Sequence, residues 1–209
     1  MNQPQRSLIS NYTHFHTSGA YGVGGKHLPT VLPHILELSP DSIVDYGAGR
    51  SLIAEAIARK AGIGRVARFE PSLPGLDRKP DGVFALLVSF DVLEHVPEEE
   101  MDSVLHEMST MCKNALLIID TRPAKALLAD GRNAHVSLHD EAWWLKRLQK
   151  HFPSIQPIAA RNGRVGFKTW PSRSTAMWRT YIEQRERALQ KLGKLRAKLG
   201  RSRVVTQKS

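Results

Sequence analysis

Ser42-Ile43-Val44-Asp45-Tyr46-Gly47-Ala48-Gly49-Arg50-Ser51 decides the fold. Residues able to form a buried strand run into an acidic side chain and a two-glycine turn, and residues 52–58 then take up helical spacing. A strand, a tight loop and a helix start in that order suit a nucleotide-like ligand. Glycines let the backbone approach the ligand closely, and a helix N-terminus presents unpaired N–H groups.

The chain has 209 residues, 41% of them hydrophobic, which suits one α/β domain with a short extension. No apolar run approaches the roughly 20 residues of a membrane helix, and residues 1–6 lack the apolar segment of a secretory signal. A soluble, cytoplasmic protein without membrane partners is expected. The single cysteine, Cys112, excludes an internal disulfide and any zinc site built from several thiolates, and it reads as a small buried residue at a helix end. The net charge is +10, but residues 179–209 carry ten basic and two acidic side chains, so the rest of the chain is nearly neutral.

Three segments are expected: a leader at 1–40 that packs on the domain, the domain itself at 41–172, and a basic helix and tail at 173–209. Within the leader, residues 28–38 form a helical pattern broken by Pro29 and Pro33. Residues 65–70 read as a second strand ending in Glu70, 21 residues beyond Gly49. That is the offset at which dinucleotide-type folds place a carboxylate for ribose hydroxyls. Residues 71–80 contain three prolines and a glycine, so neither a crossover helix nor a central strand fits there, and that edge of the sheet is short or missing.

Residues 82–89 and 114–120 are apolar runs typical of strands buried on both faces. Asp91-Val92-Leu93-Glu94-His95-Val96 follows the first, and Pro97-Glu98-Glu99-Glu100 opens a helix. After a loop at 122–139, with a short helix expected at 124–129, come a helix at 141–152 and an antiparallel hairpin of 154–161 and 165–170 about Asn162-Gly163. A proline-free helix closes the chain at 174–199.

Val44-Asp45-Tyr46-Gly47-Ala48-Gly49, Glu70 after the second strand, Asp91 to Val96 after a buried strand, and the closing hairpin together resemble the class I S-adenosylmethionine-dependent methyltransferases over residues 40–170. A nicotinamide-binding Rossmann reading fits less well, because the acidic residue precedes the glycines, Ser51 stands at the third glycine position, and the chain ends in a hairpin. A closer resemblance is to a group of bacterial and phage methyltransferase-domain proteins of unassigned substrate. Their Pro-rich loop, Asp-Val-Leu-Glu-His turn, Gly-x-Asn-Ala-His loop and Trp-Trp pair correspond here to residues 70–80, 91–95, 131–135 and Trp143-Trp144.

The resemblance implies a Rossmann-like, mostly parallel α/β sheet with a C-terminal antiparallel hairpin, and S-adenosylmethionine as cofactor. Gly47, Ala48 and Gly49 would pass under its methionine part, with Asp45 near the amino group. Glu70, followed by Pro71, would accept from the ribose hydroxyls, and Phe90 and Asp91 would border the sulfonium. The acidic residue that would bind the adenine amino group is missing with the third strand, and Asp77 or Asp81 is the substitute. His95 is either a general base or a helix cap, and Asn133 and His135 either face the acceptor or stabilise their loop.

His14 and His16, or His135, His139 and Asp140, suggest chelation, yet neither a His-x-x-x-His helix with an acid nor a thiolate set is present, so no metal is expected. One of Trp143 and Trp144 belongs to the core, since adjacent helical residues point about 100° apart. Tyr12, His16 and Tyr21 form a lid over the cofactor or simply pack. Ile182, Leu189, Leu192 and Leu199 make a stripe for homodimerisation or docking on the body, while the basic face of the same helix offers a nucleic-acid contact. A small-molecule acceptor is expected from the nearly neutral body. The alternatives are an RNA or DNA methyltransferase guided by residues 179–209, and a catalytically silent cofactor-binding or scaffold protein.

Overall fold

The computed structural model describes residues 24–128 and 130–205, with side chains to residue 198. The expectations for Tyr12, His14, His16 and Tyr21, and for Leu199 in the apolar stripe, fall outside the described residues or side chains. A 3-10 turn, Gly24–His27, leads into α1 (Leu28–Leu38). There follow β1 (Ser42–Tyr46), α2 (Ile53–Ala61), β2 (Arg65–Phe69) and β3 (Phe84–Phe90). After a 3-10 turn at Leu93–His95 come α3 (Glu98–Thr110), β4 (Cys112–Asp120), α4 (Glu141–Gln149), β5 (Gln156–Ile158), β6 (Arg164–Lys168) and α5 (Ala176–Val205). No described helix is long and apolar enough to cross a membrane.

Among the described residues the strands form one sheet in the order β2-β1-β3-β4-β6-β5. β2, β1, β3 and β4 run parallel, and β6 lies antiparallel between β4 and β5. The strand side chains alternate between two cores. On one face Val44, Leu87 and Leu117 meet Met101, Leu105 and Met108 of α3 and Trp144 and Leu148 of α4. On the other, Ile43, Leu86 and Leu116 meet Val31 and Ile35 of α1, Ile53 and Ile57 of α2, and Ile182 of α5. Burial on both faces explains why the central strands are apolar without alternation.

The expected gap at the sheet edge is present. Between Phe69 and Phe84 the chain makes only turns, closed by bonds from Glu70 N–H to the Leu76 carbonyl and from Leu76 N–H to the Leu73 carbonyl. The hairpin turn is also present, with Asn162 and Gly163 both at positive φ, as a type I′ turn requires.

Two local expectations are corrected. α1 is not broken at its prolines: Pro29 sits in the first turn, where no N–H is needed, and the helix continues through Pro33 because Val31, Leu32 and Ile35 are buried around it. The expected helix at 124–129 is absent over the described residues 124–128. Instead Leu127 and Asn133 form an antiparallel bridge, and Gly131, at φ +83°, turns the chain back on itself. The Asn133 side chain holds that loop, with Oδ1 accepting from the N–H groups of Ala124 and His135 and Nδ2 donating to the Ala124 carbonyl.

α1 is tied to the end of the sheet by a buried ion pair. Lys168, fully buried, donates to Glu37 at 2.9 Å and to the Ser172 hydroxyl at 2.8 Å. Burial pushes Glu37 up, but the backbone N–H of Ser174, the Lys168 ammonium and the N–H of Arg173 outweigh it and hold the carboxyl at about 2.

Candidate active site

The carboxyl ends of β1, β3 and β4 open on one side, where the loops that follow them carry most of the polar residues singled out in the sequence. Two groups of side chains form there.

The first group follows β1 and β2. Gly47 and Gly49 have φ of +77° and +49°, and the N–H groups of Gly47 and Ala48 both donate to the Phe69 carbonyl, fixing the loop to the end of β2. Gly47 is needed twice over, since a Cβ there would also lie 2.5 Å from Cγ2 of Val92. Glu70 is buried. Its Oε2 accepts from Gly49 N–H at 3.0 Å, and its Oε1 accepts from the N–H and hydroxyl of Ser72 at 3.1 and 2.6 Å. The 21-residue spacing seen in the sequence thus corresponds to a direct contact. Pro71 lies exposed at the opening of the following turn.

Asp45 is 3% exposed, and its Oδ2 has no hydrogen-bond partner among the described residues. Burial, with smaller contributions from Glu55 and Glu70, pushes its carboxyl up to about 7 against the opposing charge of Arg68. An acceptor atom left unsatisfied at full burial is costly unless a ligand's donor completes it. Asp77 accepts from the N–H of Gly75 in a local turn, and Asp81 contributes its backbone carbonyl to Arg65.

The second group follows β3 and β4. Phe90 is buried with its ring 5.4 Å from that of His27. Asp91 adopts φ +55°, an uncommon conformation for a residue with a side chain. Its carboxylate is held by Arg164 at 2.7 Å, His27 at 2.9 Å and Lys26 at 2.6 Å. Although burial opposes them, these partners keep Asp91 far below the usual carboxylate range. Arg164 also reaches Asp120 at 2.7 Å, and Arg122 meets Asp120 at 2.8 Å. Asp91 therefore anchors a charge network across the ends of β3, β4 and β6, and its side chain is engaged within the fold.

Below that network, Glu94 is fully buried. Its Oε1 accepts from Asp120 N–H at 3.2 Å, and its Oε2 has no partner among the described residues. Burial and the neighbouring Asp91 charge push this carboxyl well above its ordinary value. His95 and His135, 40 positions apart, stand with ring centroids 4.7 Å apart. Nδ1 of His95 faces the Ala134 carbonyl at 2.8 Å, and Nδ1 of His135 faces the Arg122 carbonyl. A carbonyl only accepts, so each Nδ1 carries the proton and each Nε2 keeps the lone pair when the ring is neutral.

The structure thus joins Asp45, Gly47, Ala48, Gly49 and Glu70 in one cluster, and His95 and His135 in another. Asn133 acts within its loop. Trp144 is fully buried and Trp143 stacks on His139 at 3.6 Å, so one of the pair belongs to the core as the helix geometry requires. Burial pushes the Cys112 thiol up to about 12, which suits a packing role. Sequence reasoning missed Lys26, His27, Glu94, Asp120 and Arg164. Of these only Glu94 had a visible signal, its place in the Asp-Val-Leu-Glu-His turn.

Solved structures share this architecture. A 1,6-didemethyltoxoflavin-N1-methyltransferase from Burkholderia thailandensis, with 1,6-didemethyltoxoflavin and S-adenosylhomocysteine bound, is 12% identical, with 79% of this chain and 88% of that one covered at a TM-score of 0.61. The methyltransferase domain of bacterial CtHen1 is 11% identical over 70% of this chain and 98% of that one, at 0.51. DhpI in its SAM-HEP complex is 15% identical over 79% and 97%, at 0.50. At these identities the likeness is one of fold, an α/β fold that these methyltransferases share. No protein-family model matches the chain, and no curated protein matches it.

Proposed function

We propose that the chain is an S-adenosylmethionine-dependent methyltransferase whose acceptor is a small molecule. The observation that carries this reading is Asp45: a buried carboxylate with an oxygen unsatisfied among the described residues, beneath a glycine turn where a Cβ at position 47 would collide with Val92. A cationic amine is the donor that would complete it, and the cofactor's methionine part has one. The Gly47, Ala48 and Gly49 backbone would line the same part, and Glu70 with Pro71 would border the ribose. Phe90 and the backbone of Asp91 would border the reacting side. When bound, the cofactor supplies a methyl group already activated on a sulfonium, so holding the partners in line carries most of the catalysis. His95 and His135 then stand where an acceptor's proton has to be handled, each presenting Nε2 as its basic atom.

Calorimetric titration with S-adenosylmethionine and S-adenosylhomocysteine tests the reading. Binding with proton release below pH 7 is expected, because an amine favours the ionised form of Asp45, and Asp45→Ala should remove it. No heat at millimolar ligand with wild-type protein would overturn it. Binding without methyl transfer to any fraction of a cell extract would instead favour a silent cofactor-binding protein.

A nucleic-acid acceptor is the second reading, favoured by exposed Arg185, Lys191, Lys194, Arg196 and Lys198 along α5. Ending the chain after Gln190 leaves Ile182 in the core and Glu183 and Glu186 with their partners. Loss of salt-sensitive RNA or DNA retention and of transfer in that truncation would support this reading, whereas unchanged transfer would leave the small-molecule acceptor.

A further inference from the structure

Glu94, His95 and His135 each offer a ligand atom, and the three atoms lie within 4.8 Å of one another. Two imidazoles and a carboxylate form a donor set used for divalent transition metals, with positions left open on the ion. Carbonyl partners at Nδ1 of both histidines are the outer contacts that metal-bound imidazoles generally have, and they leave Nε2 as the lone-pair nitrogen on each ring. The independent sign of a ligand is Glu94: fully buried, with one oxygen satisfied by a backbone N–H and the other unsatisfied among the described residues.

The charges around the cluster are compatible with a cation. Asp91 and Asp120 face it from the ends of β3 and β4, but Lys26, Arg122 and Arg164 already pair with them. The Glu94 carboxylate is what remains for an ion. Metal–ligand bonds of about 2.1 Å require donor atoms closer than the widest separation seen, so small side-chain movements of roughly 1 Å would complete the site.

We propose that Glu94, His95 and His135 bind one divalent transition-metal ion of the Mn²⁺ to Zn²⁺ series, whose open positions take an oxygen of the methyl acceptor. The second clause rests on the methyltransferase reading, and the first does not. In this role the two imidazoles ligate the ion in place of accepting a proton. The ion lowers the pKa of the oxygen it holds, which points to acceptors carrying a hydroxyl or phenol.

The test uses full-length, tag-free protein stripped with a chelator and desalted, titrated with Mn²⁺, Co²⁺ and Zn²⁺ in the absence of cofactor. Stoichiometric binding of one ion is expected, with a visible Co²⁺ spectrum showing nitrogen ligation. Glu94→Gln and His135→Ala should each weaken binding by more than about 100-fold, beyond the 10–100-fold usual for loss of an outer contact. His139→Ala, which alters a histidine paired with Glu98 outside the cluster, should leave binding unchanged. Circular dichroism confirms that each variant is folded, and His135→Ala, at a half-buried position, decides the matter if Glu94→Gln is not. Absence of stoichiometric binding for all three ions, or equal binding by wild type and His135→Ala, would overturn the proposal. Cofactor titration of the metal-free protein separates this failure from failure of the methyltransferase reading.

Discussion

The two halves of the crevice are built in different ways. The half beneath the glycine turn comes from residues 45–49 and 70, joined by backbone bonds to Phe69 and by Glu70 to Gly49. The half around the histidines draws on positions 26, 27, 91, 94, 95, 120, 135 and 164, joined by side-chain charges and by two carbonyls holding imidazoles. A site fixed by local backbone geometry leaves a compact pattern in the sequence. A site fixed by long-range ion pairs leaves scattered residues that gain meaning only when the strands are in register.

The sharpest way to separate the halves is to remove Arg164. Its guanidinium lies between Asp91 and Asp120, and without it Asp91 keeps only Lys26 and His27, and Asp120 only Arg122. Arg164→Ala should destabilise the fold by about 3 kcal/mol in chemical denaturation, the low end of the range for breaking a buried pair, because other cations stay beside both carboxylates. The folded fraction should still bind the donor with near-normal affinity. Equal loss of donor affinity would show that the two halves are one unit.

On the other side, Asp45→Asn should stabilise the ligand-free protein while abolishing donor binding. The folded carboxyl sits at about 7, above its ordinary 3.8, so the folded state holds a proton that the unfolded state has lost between those values. Wild-type stability therefore declines as pH rises from about 4 and levels off above 7. The advantage of the asparagine variant should grow over that window to about 2–4 kcal/mol. Thermal melts at pH 4.5 and 8 check this, and a constant difference would show that Asp45 is charged throughout. A smaller loss, about 2–3 kcal/mol, is expected for Gly47→Ala, from the strained φ and the clash with Val92. Val92→Ala should recover the clash but not the strain.

The fold was legible because its signals were short-range. The apolar runs gave β3 and β4, the three prolines after Glu70 gave the missing edge, and Asn162-Gly163 gave the hairpin. The half beneath the glycine turn was legible for the same reason. The segment at 124–129 misled because its alanines and leucines favour a helix, whereas Asn133, several residues later, bonds back to Ala124 and sets the loop. Pro33 misled in the opposite sense, since local chemistry argues for a break and burial of the helix face overrides it. The approach of His135 to Glu94 and His95 has no counterpart in the sequence pattern, because a histidine 40 positions away carries no spacing rule.

Asn133→Ala is the mildest perturbation and the one that isolates the histidine half. It removes three hydrogen bonds within a partly exposed loop and touches neither the glycine turn nor the ion pairs. The stability loss should be only about 1 kcal/mol, the usual net value for such bonds at a site water can reach. Yet the Asn133 side chain also holds the N–H of His135, whose imidazole leans on the Arg122 carbonyl within the same loop. Loosening that anchor should let His135 exchange tautomers and leave His95. Nitrogen-15 spectra of the imidazoles should show the Nδ1–H form of His135 giving way to a mixture, with donor affinity unchanged. If the tautomer held while donor affinity fell, the loop would belong to the glycine-turn half, and the division between backbone-built and charge-built halves would have to be redrawn.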